Sequence, residues 1–310
     1  MSAVNVAIIG ANGFIGRHLT EALLQKKGVQ LFLFGKSEKS SFGNVLPYTQ
    51  LNLLDGAQIK TQFASIDIVY YLASESIPAT SWEDPLMEIE KNLKPFIFFS
   101  ETLSKLKAKK IVFVSSAGTV YGPAEEKVKE DSATKPFSPY GIIKLTMENF
   151  LSYFEKKYDL HFDIYRVSNV YGDGQDTSKG LGIINTFLEK IITEKRITIF
   201  GNGQSIRNYV YVKDVAELMS LSISSDTSVS NVYNLASNDT LSINNLVALM
   251  QKTVSEKFEV IYKETRQSDN PTIDLDNTKL LNAYSQFRLT SIEDGIAKTY
   301  SFIKKNTIKI

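Results

Sequence analysis

Two periods of apolar and polar positions take turns along this chain. Val4-Asn5-Val6-Ala7-Ile8-Ile9 is a short, largely apolar, β-branched run, the pattern of a strand buried in a parallel sheet. A helical period follows from Phe14 to Lys27. The same exchange recurs downstream. Strands are predicted near Gln30–Phe34, Asp67–Leu72, Lys110–Ser115 and Phe162–Val167, and helices near Ala57–Phe63, Leu86–Leu106 and Pro139–Tyr158. This alternation predicts the α/β class, a doubly wound parallel sheet, over residues 1–172. After Gly172 the pattern loosens. Asp173–Gly182 is rich in Gly, Asp, Ser and Lys and reads as a mobile flap, with Asp173 and Asp176 solvated rather than catalytic. Residues 173–310 are expected to form mainly a smaller C-terminal substrate-binding lobe. The loop Ser74–Pro85 leaves the C-terminal end of a strand, where ligands gather in such sheets, so Ser76 is a candidate substrate contact.

Composition narrows the classes of function. The chain has 310 residues, enough for a large core and a second lobe. A net charge of +1 gives no general attraction to nucleic acid or to an anionic membrane. The absence of cysteine excludes disulfides, thiol nucleophiles and cysteine metal sites. His18 and His161 are the two histidines; no metal cluster can be built from them, and both read as structural. No apolar run approaches the roughly 18 residues of a membrane span, and no signal pattern opens the chain. A cytoplasmic location is the default expectation.

Two motifs carry chemistry. Gly10-Ala11-Asn12-Gly13-Phe14-Ile15-Gly16 lies between the first strand and the first helix. Gly10 can make the tight turn, Gly13 lets the backbone approach a pyrophosphate, and Gly16 permits close packing of helix on strand. Phosphates would lie on the free N–H groups of the helix start. The spacing is G-x-x-G-x-x-G rather than the commoner G-x-G-x-x-G. The second motif is Ser138-Pro139-Tyr140-Gly141-Ile142-Ile143-Lys144. In a helix, Lys144 falls on the face of Tyr140. Ser138 is a candidate N-cap and Pro139 a favoured first residue, so Tyr140 sits in the first turn, where the macrodipole favours an anion. These features are expected to lower the phenol's pKa from its usual value of about 10. Tyr140 could then take a proton from a sugar hydroxyl.

Further segments match in order. Asp67-Ile68-Val69-Tyr70-Tyr71-Leu72-Ala73 resembles a known family's fourth strand, which lies beside its cofactor, and Ser115-Ser116-Ala117-Gly118-Thr119-Val120-Tyr121-Gly122 resembles that family's serine-rich segment after strand five. Arg166 to Gly172 fits R-x-x-N-x-x-G, Gly201 to Tyr209 is close to G-x-G-x-x-x-R-D-Y, and Arg266 with Asp269 fits R-x-x-D. Together the set resembles, nearly end to end, the extended short-chain dehydrogenases/reductases in their NAD-dependent nucleotide-sugar epimerase/dehydratase family. The resemblance implies a Rossmann domain to which a segment near 207–232 returns, an NAD or NADP cofactor and a nucleotide-sugar substrate, UDP-linked. It implies Tyr140 as acid/base, and Lys144 as the residue that holds the nicotinamide ribose and depresses the tyrosine pKa. Cofactor contacts would come from Gly10, Asn12, Gly13, Phe14, Ile15 and Gly16 of the turn. Gly35, Lys36, Ser37, Asn52, Leu53, Leu72, Ala73 and Ser115 would add to them, with Tyr140 and Lys144. Asn169, Arg207, Arg266 and Asp269 would meet the nucleotide diphosphate, a role that suits the planar donor fork of arginine. The helix after Tyr140 has more apolar surface than one stripe requires, and the resemblance implies that it and Leu86–Leu106 form a homodimer.

Three departures bear on function. Where the family usually places a catalytic Ser or Thr, this chain has Ala117, which offers a substrate hydroxyl no hydrogen bond. Ser116 and Thr119 are the candidate replacements. Thr119 is favoured because it shares a face with Ala117 if the segment stays extended. The second predicted strand ends in Gly35-Lys36-Ser37 instead of an acid that would bind the adenosine ribose. Losing that carboxylate tilts the reading slightly towards NADP. Asn52 stands where the family often has Asp facing adenine. Gly118-Thr119 lacks the acidic pair of the usual 4,6-dehydratases, so C4 epimerisation of a UDP-sugar is the expected activity. The alternatives are an NADPH-dependent keto-sugar reductase, a dehydratase and a non-catalytic NAD(P)-binding protein.

Overall fold

The computed structural model describes residues 3–106, 108–124, 126–264 and 272–307. Through them run strands β1 (Val4–Ile9), β2 (Val29–Gly35), β3 (Tyr48–Gln50), β4 (Ile68–Tyr71), β5 (Lys110–Ser116) and β6 (His161–Val167). There follow β7 (Asn169–Tyr171), β8 (Arg196–Phe200), β9 (Ile206–Tyr211), β10 (Asn231–Leu235), β11 (Thr240–Ser242) and β12 (Glu259–Lys263).

The main sheet has seven strands in the order β10-β6-β5-β4-β1-β2-β3, all paired in parallel. Alternation decides which face each side chain serves. Ala7 and Ile9, with Tyr71 and Phe113, pack against Phe63, Phe96, Phe99 and Leu151. Val6 and Ile8, with Tyr70 and Val112, pack against Leu19, Leu23, Val215 and Leu218. Both sets are apolar because both faces are covered by helices, which is why β1 reads as a near-continuous apolar run. The chain builds outward from β1 through β2 and β3, then returns to the other side of β1 with β4. That reversal is the switch point at which such sheets bind ligands.

Two strands of this sheet escaped the sequence pattern, as did the five short strands outside it. Tyr48–Gln50 is three residues long, and Asn231–Leu235 reaches the sheet edge only after a long excursion. The chain comes back through the helix Val212–Ser220, whose Met219 carbonyl accepts the Tyr70 hydroxyl at 2.9 Å. The helix expected over Leu86–Leu106 is broken into Pro85–Glu88, a π-helical turn Ile89–Leu93, and Lys94–Leu103. Pro95, near the start of the last piece, has no N–H and its ring would crowd a carbonyl one turn back. The wider turn relieves that clash. The helix Pro139–Tyr158 has the expected bounds; Ser138 caps it, accepting the Gly141 N–H at 3.2 Å.

The remaining strands form a three-stranded sheet, β11-β9-β7, and a pair, β12-β8. They share a separate core of Tyr171, Ile184, Leu188, Tyr209, Leu246 and Ile296. Among the described residues no helix is long and apolar enough to cross a membrane. Asp173–Gly182 is pinned to the first helix, since Arg17 donates to the Gly174 carbonyl at 2.7 Å and His18 Nε2 lies 2.9 Å from the Asp173 carbonyl. The Asp173 carboxylate, expected from sequence to be solvated, is instead largely covered and pairs with Lys213 at 2.9 Å.

Candidate active site

The glycine turn closes tightly over the end of β1. Gly10 has φ +89, and a Cβ there would lie 3.1 Å from the backbone of Leu72 and Ala73 after β4. A Cβ on Gly16 would fall 2.2 Å from the Gly10 carbonyl oxygen. Gly13 is the N-cap of the helix Phe14–Leu24 and offers no side-chain cap; no acid sits in the first turn. The free N–H groups and the positive end of the dipole therefore face outward, a cradle suited to a pyrophosphate. Asn12 and the ends of β2 and β4 (Gly35, Leu72, Ala73) surround it.

The β2 end is organised by hydroxyls. Tyr48 covers Gly35, where a Cβ would meet its hydroxyl at 2.6 Å. Ser37 Oγ lies 3.0 Å from the same hydroxyl and accepts from the Asn12 amide at 2.7 Å. Lys36, read from sequence as a possible phosphate ligand, instead pairs with Glu75 at 2.8 Å. The side-chain carbonyl of the exposed Asn52 accepts the Leu54 N–H at 3.0 Å, bridging Leu53.

The chemical centre lies at the start of the helix Pro139–Tyr158. Tyr140 is half-buried and Lys144 is 6% exposed. The Lys144 ammonium donates to the Val114 carbonyl at 3.0 Å and sits 5.5 Å from the centre of the Tyr140 ring. Burial pushes the Tyr140 phenol up to about 12; the Glu88 carboxylate adds to the rise and a hydrogen bond with Ser74 opposes it. Burial also pushes Lys144 down to about 8, against the attraction of Glu88 and Glu148. This corrects the expectation that the lysine lowers the tyrosine. Helical spacing did bring the two together, but desolvation disfavours both charged forms.

The serine-rich segment also differs. Ala117–Val120 is a short helix rather than a continued strand, so the shared face argued for Thr119 does not exist. Thr119 is 1% exposed, donates to the Ser116 carbonyl at 3.3 Å, and packs under Gly141, where a Cβ would meet its carbonyl oxygen at 2.3 Å. Ser116 is half-buried and precedes this helix without capping it. The Ser115 hydroxyl, a candidate cofactor contact, is committed to Glu148 at 2.5 Å. Glu148 also receives the Arg166 guanidinium, with Nη2 at 2.7 Å; Arg166 Nη1 donates to the Tyr121 hydroxyl at 2.7 Å. This buried network ties the tyrosine helix to β5 and β6.

On the substrate side, Ser76 is 7% exposed and its hydroxyl accepts from the Asn92 amide at 3.0 Å, so it braces the loop. The Asn169 amide donates to the Asn208 carbonyl at 3.0 Å. Arg207, on β9, is near enough to Tyr209 for its charge to favour that phenolate. Arg266 and Asp269 lie outside the described residues. Sequence reasoning passed over Ser74, Glu88 and Asn92. The i, i+4 spacing of Glu88 and Asn92 was a visible signal, but its meaning depends on burial against Tyr140. Among the described residues no group of three or more His, Cys, Asp or Glu could hold a metal ion.

Among known proteins, the NAD dependent epimerase/dehydratase family matches residues 6–236. A UDP-glucose 4-epimerase from Thermotoga maritima, solved with UDP-glucose, is 27% identical, with a TM-score of 0.88 over 98% of this chain and 100% of that one. A UDP-glucose 4-epimerase from Thermus thermophilus, solved with NAD, is 26% identical, with a TM-score of 0.88 over 97% of this chain and 99% of its own. A dTDP-4-dehydro-6-deoxyglucose reductase from Escherichia coli is 26% identical over 96% of this chain and 97% of its own.

Proposed function

Since the chain belongs to the NAD dependent epimerase/dehydratase family, we propose that it inverts C4 of a UDP-linked sugar through a transient keto sugar. The observation that carries this reading is the juxtaposition of Tyr140 and Lys144 on one helix, at the ligand-binding end of the sheet that also bears the glycine cradle. The cradle would hold the pyrophosphate of a dinucleotide, with Phe14 and Ile15 offering N–H groups, while the Gly13 N–H closes the turn on the Gly10 carbonyl at 2.9 Å. When bound, an oxidised nicotinamide supplies a hydride acceptor and a positive charge. Tyr140 takes the proton of the sugar hydroxyl as that carbon is oxidised, and returns it to the keto oxygen when the carbon is reduced from its other face. Lys144, whose pKa of about 8 keeps it mostly protonated at neutral pH, supplies the nearby cation. Arg207 supports a diphosphate contact by its charge and place on β9.

The cofactor reading favours NAD. Lys36 is paired with Glu75, and that carboxylate would repel a 2′-phosphate. A homodimer is proposed through the two helices around the active site, where Leu86, Ile89, Phe98, Ile142 and Tyr153 are exposed; light scattering at micromolar concentration that gives a monomer mass would exclude it. One observation favours a second reading. With its pKa raised to about 12, Tyr140 is a phenol at neutral pH, the form that protonates a carbonyl in a keto-sugar reductase.

Incubation with UDP-glucose and UDP-N-acetylglucosamine, with each cofactor in turn, separates the two. Formation of the 4-epimer without net cofactor turnover is expected. Stoichiometric consumption of NADPH on a keto sugar, with every nucleotide sugar left unchanged, would overturn epimerisation in favour of reduction.

A further inference from the structure

The second strand of the sheet ends on Gly35, which has no side chain, at the place where an acid would meet the adenosine ribose of a dinucleotide. The space in front of it is filled from the next strand. Tyr48 opens β3 in register with Leu33, so alternation puts its side chain on the face shared by Leu33 and Gly35. The ring runs along that face, and its hydroxyl stops 2.6 Å from where a Gly35 Cβ would stand. A phenol tip thus occupies the start of the path that a carboxylate would take. We propose that the Tyr48 hydroxyl replaces the missing acid: it accepts a hydrogen bond from the 2′-hydroxyl of the adenosine ribose and so selects NAD. This rests on the dinucleotide reading of the glycine cradle given above.

The cradle itself holds that hydroxyl in place. Asn12, in the glycine turn, directs its amide to Ser37 Oγ at 2.7 Å, to the Lys39 carbonyl at 2.8 Å and to the Tyr48 hydroxyl at 3.3 Å. Its side-chain carbonyl accepts the Ser41 N–H at 2.8 Å. Asn12 and Tyr48 are half-buried and Ser37 is exposed, so the cluster lies at the surface, within reach of a ligand.

The supply of protons decides which ribose fits. A hydroxyl has one proton to donate and two lone pairs. Tyr48 donates its proton to the Ser37 carbonyl at 2.8 Å, and Ser37 donates its own to the Lys39 carbonyl at 3.1 Å. Both protons are committed inside the cluster. Tyr48 turns one lone pair to the Asn12 amide and keeps the other. A ribose 2′-hydroxyl has a proton to donate to it. A 2′-phosphate, largely ionised at neutral pH, has none and meets lone pairs. The Lys36 ammonium, which would offset that repulsion, is paired with Glu75 at 2.8 Å.

The test is calorimetric binding of NAD, of NADP and of the NAD analogue that lacks the adenosine 2′-hydroxyl, to the full chain freed of nucleotide. Wild type is expected to bind NAD about three- to tenfold more tightly than the deoxy analogue, the contribution of one neutral hydrogen bond. Tyr48→Phe is expected to lose that preference without weakening NADP. Removal of the hydroxyl also makes room at position 35, where a Cβ would lie 3.5 Å from the ring carbon Cζ, an ordinary contact. Gly35→Asp in the Tyr48→Phe background is therefore expected to restore the preference for NAD over the deoxy analogue, with the carboxylate as acceptor. Equal binding of NAD and the deoxy analogue by wild type would overturn the proposal. So would a Tyr48→Phe protein that weakens all the ligands alike, or a double variant in which the preference does not return. A wild type that binds no dinucleotide would overturn the reading of the cradle, and this proposal with it. The expected preferences, with every nucleotide sugar left unchanged, would instead count against the epimerase reading alone.

Discussion

Asn92 donates its amide to the Glu88 carboxylate at 3.1 Å, across the seam where the helix Pro85–Glu88 widens into the π-turn Ile89–Leu93. The other carboxylate oxygen of Glu88 is buried with no partner. Its charge bears on both members of the chemical centre, raising the pKa of Tyr140 and that of Lys144. Glu88→Gln keeps the shape and removes the charge. The phenolate then forms more easily, and the ammonium is lost more easily. Both limbs of the pH profile of kcat/KM are therefore expected to move to lower pH, with kcat at the new optimum within about tenfold of wild type. A profile that stays in place would show that Glu88 does not act on the centre.

Tyr140→Phe removes the proposed proton acceptor and leaves the ring against Lys144, 5.5 Å from its ammonium. Loss of a positioned acid/base costs about 10²–10⁴-fold in kcat. Cofactor binding, followed by fluorescence or calorimetry, is expected to persist. Undiminished turnover would remove Tyr140 from the mechanism.

How far the site was legible follows the range of the forces involved. The start of the helix at Pro139 is written locally, in a capping serine and a proline, and it was read to the residue. So was the Gly10–Gly16 turn, because Gly10 and Gly16 meet backbone that lies close in the chain or at the adjoining strand end. The split of Leu86–Leu106 was missed although its cause, Pro95, was in plain view. The apolar pattern runs through the break without a change of period. The pKa of Tyr140 was misjudged for a different reason. Spacing reveals the helpful cation at Lys144, whereas burial and the Glu88 charge arrive through tertiary packing. Asn234, which closes the Arg166 network through the Tyr121 hydroxyl at 2.7 Å, is on a strand that no local pattern marked.

Cofactor choice is expected to turn on Glu75. It neutralises Lys36 from the far side of β1, and both groups are partly exposed, so the pair contributes about 0.2–1 kcal/mol. Glu75→Gln frees the lysine for a 2′-phosphate and removes a repulsive charge. The ratio of NADP to NAD affinity is expected to rise by up to about fivefold, measured by titration at low salt. An unchanged ratio would mean that the ribose is not read at this end of β2.

Glu148 joins stability to chemistry. It receives Arg166 and Ser115 within the core and lies one helical turn beyond Lys144. Glu148→Gln leaves the buried guanidinium without its counter-charge, at a cost of about 3–5 kcal/mol. Urea unfolding is expected to show that loss. Lys144, deprived of an attraction that favours its charged form, is expected to titrate at lower pH. A variant as stable as wild type would mean that solvent or another acid reaches Arg166.

Gly16 and Gly28 separate the cradle from ordinary backbone strain. A methyl at Gly16 would lie 2.2 Å from the Gly10 carbonyl oxygen and 2.9 Å from Ala11 Cα, both backbone atoms that cannot swing aside. The turn itself must shift, and its N–H groups shift with it. At Gly28 a methyl meets nothing within 4 Å, and the whole cost is that of φ +75 in a residue with a Cβ. That cost is about 1–2 kcal/mol. Gly28→Ala is therefore expected to lower stability while leaving dinucleotide affinity unchanged. Gly16→Ala is expected to weaken binding at least about tenfold, beyond what its loss of stability explains. Equal affinities in the two variants, measured by calorimetry well below their unfolding temperatures, would show that the phosphates do not rest on this turn.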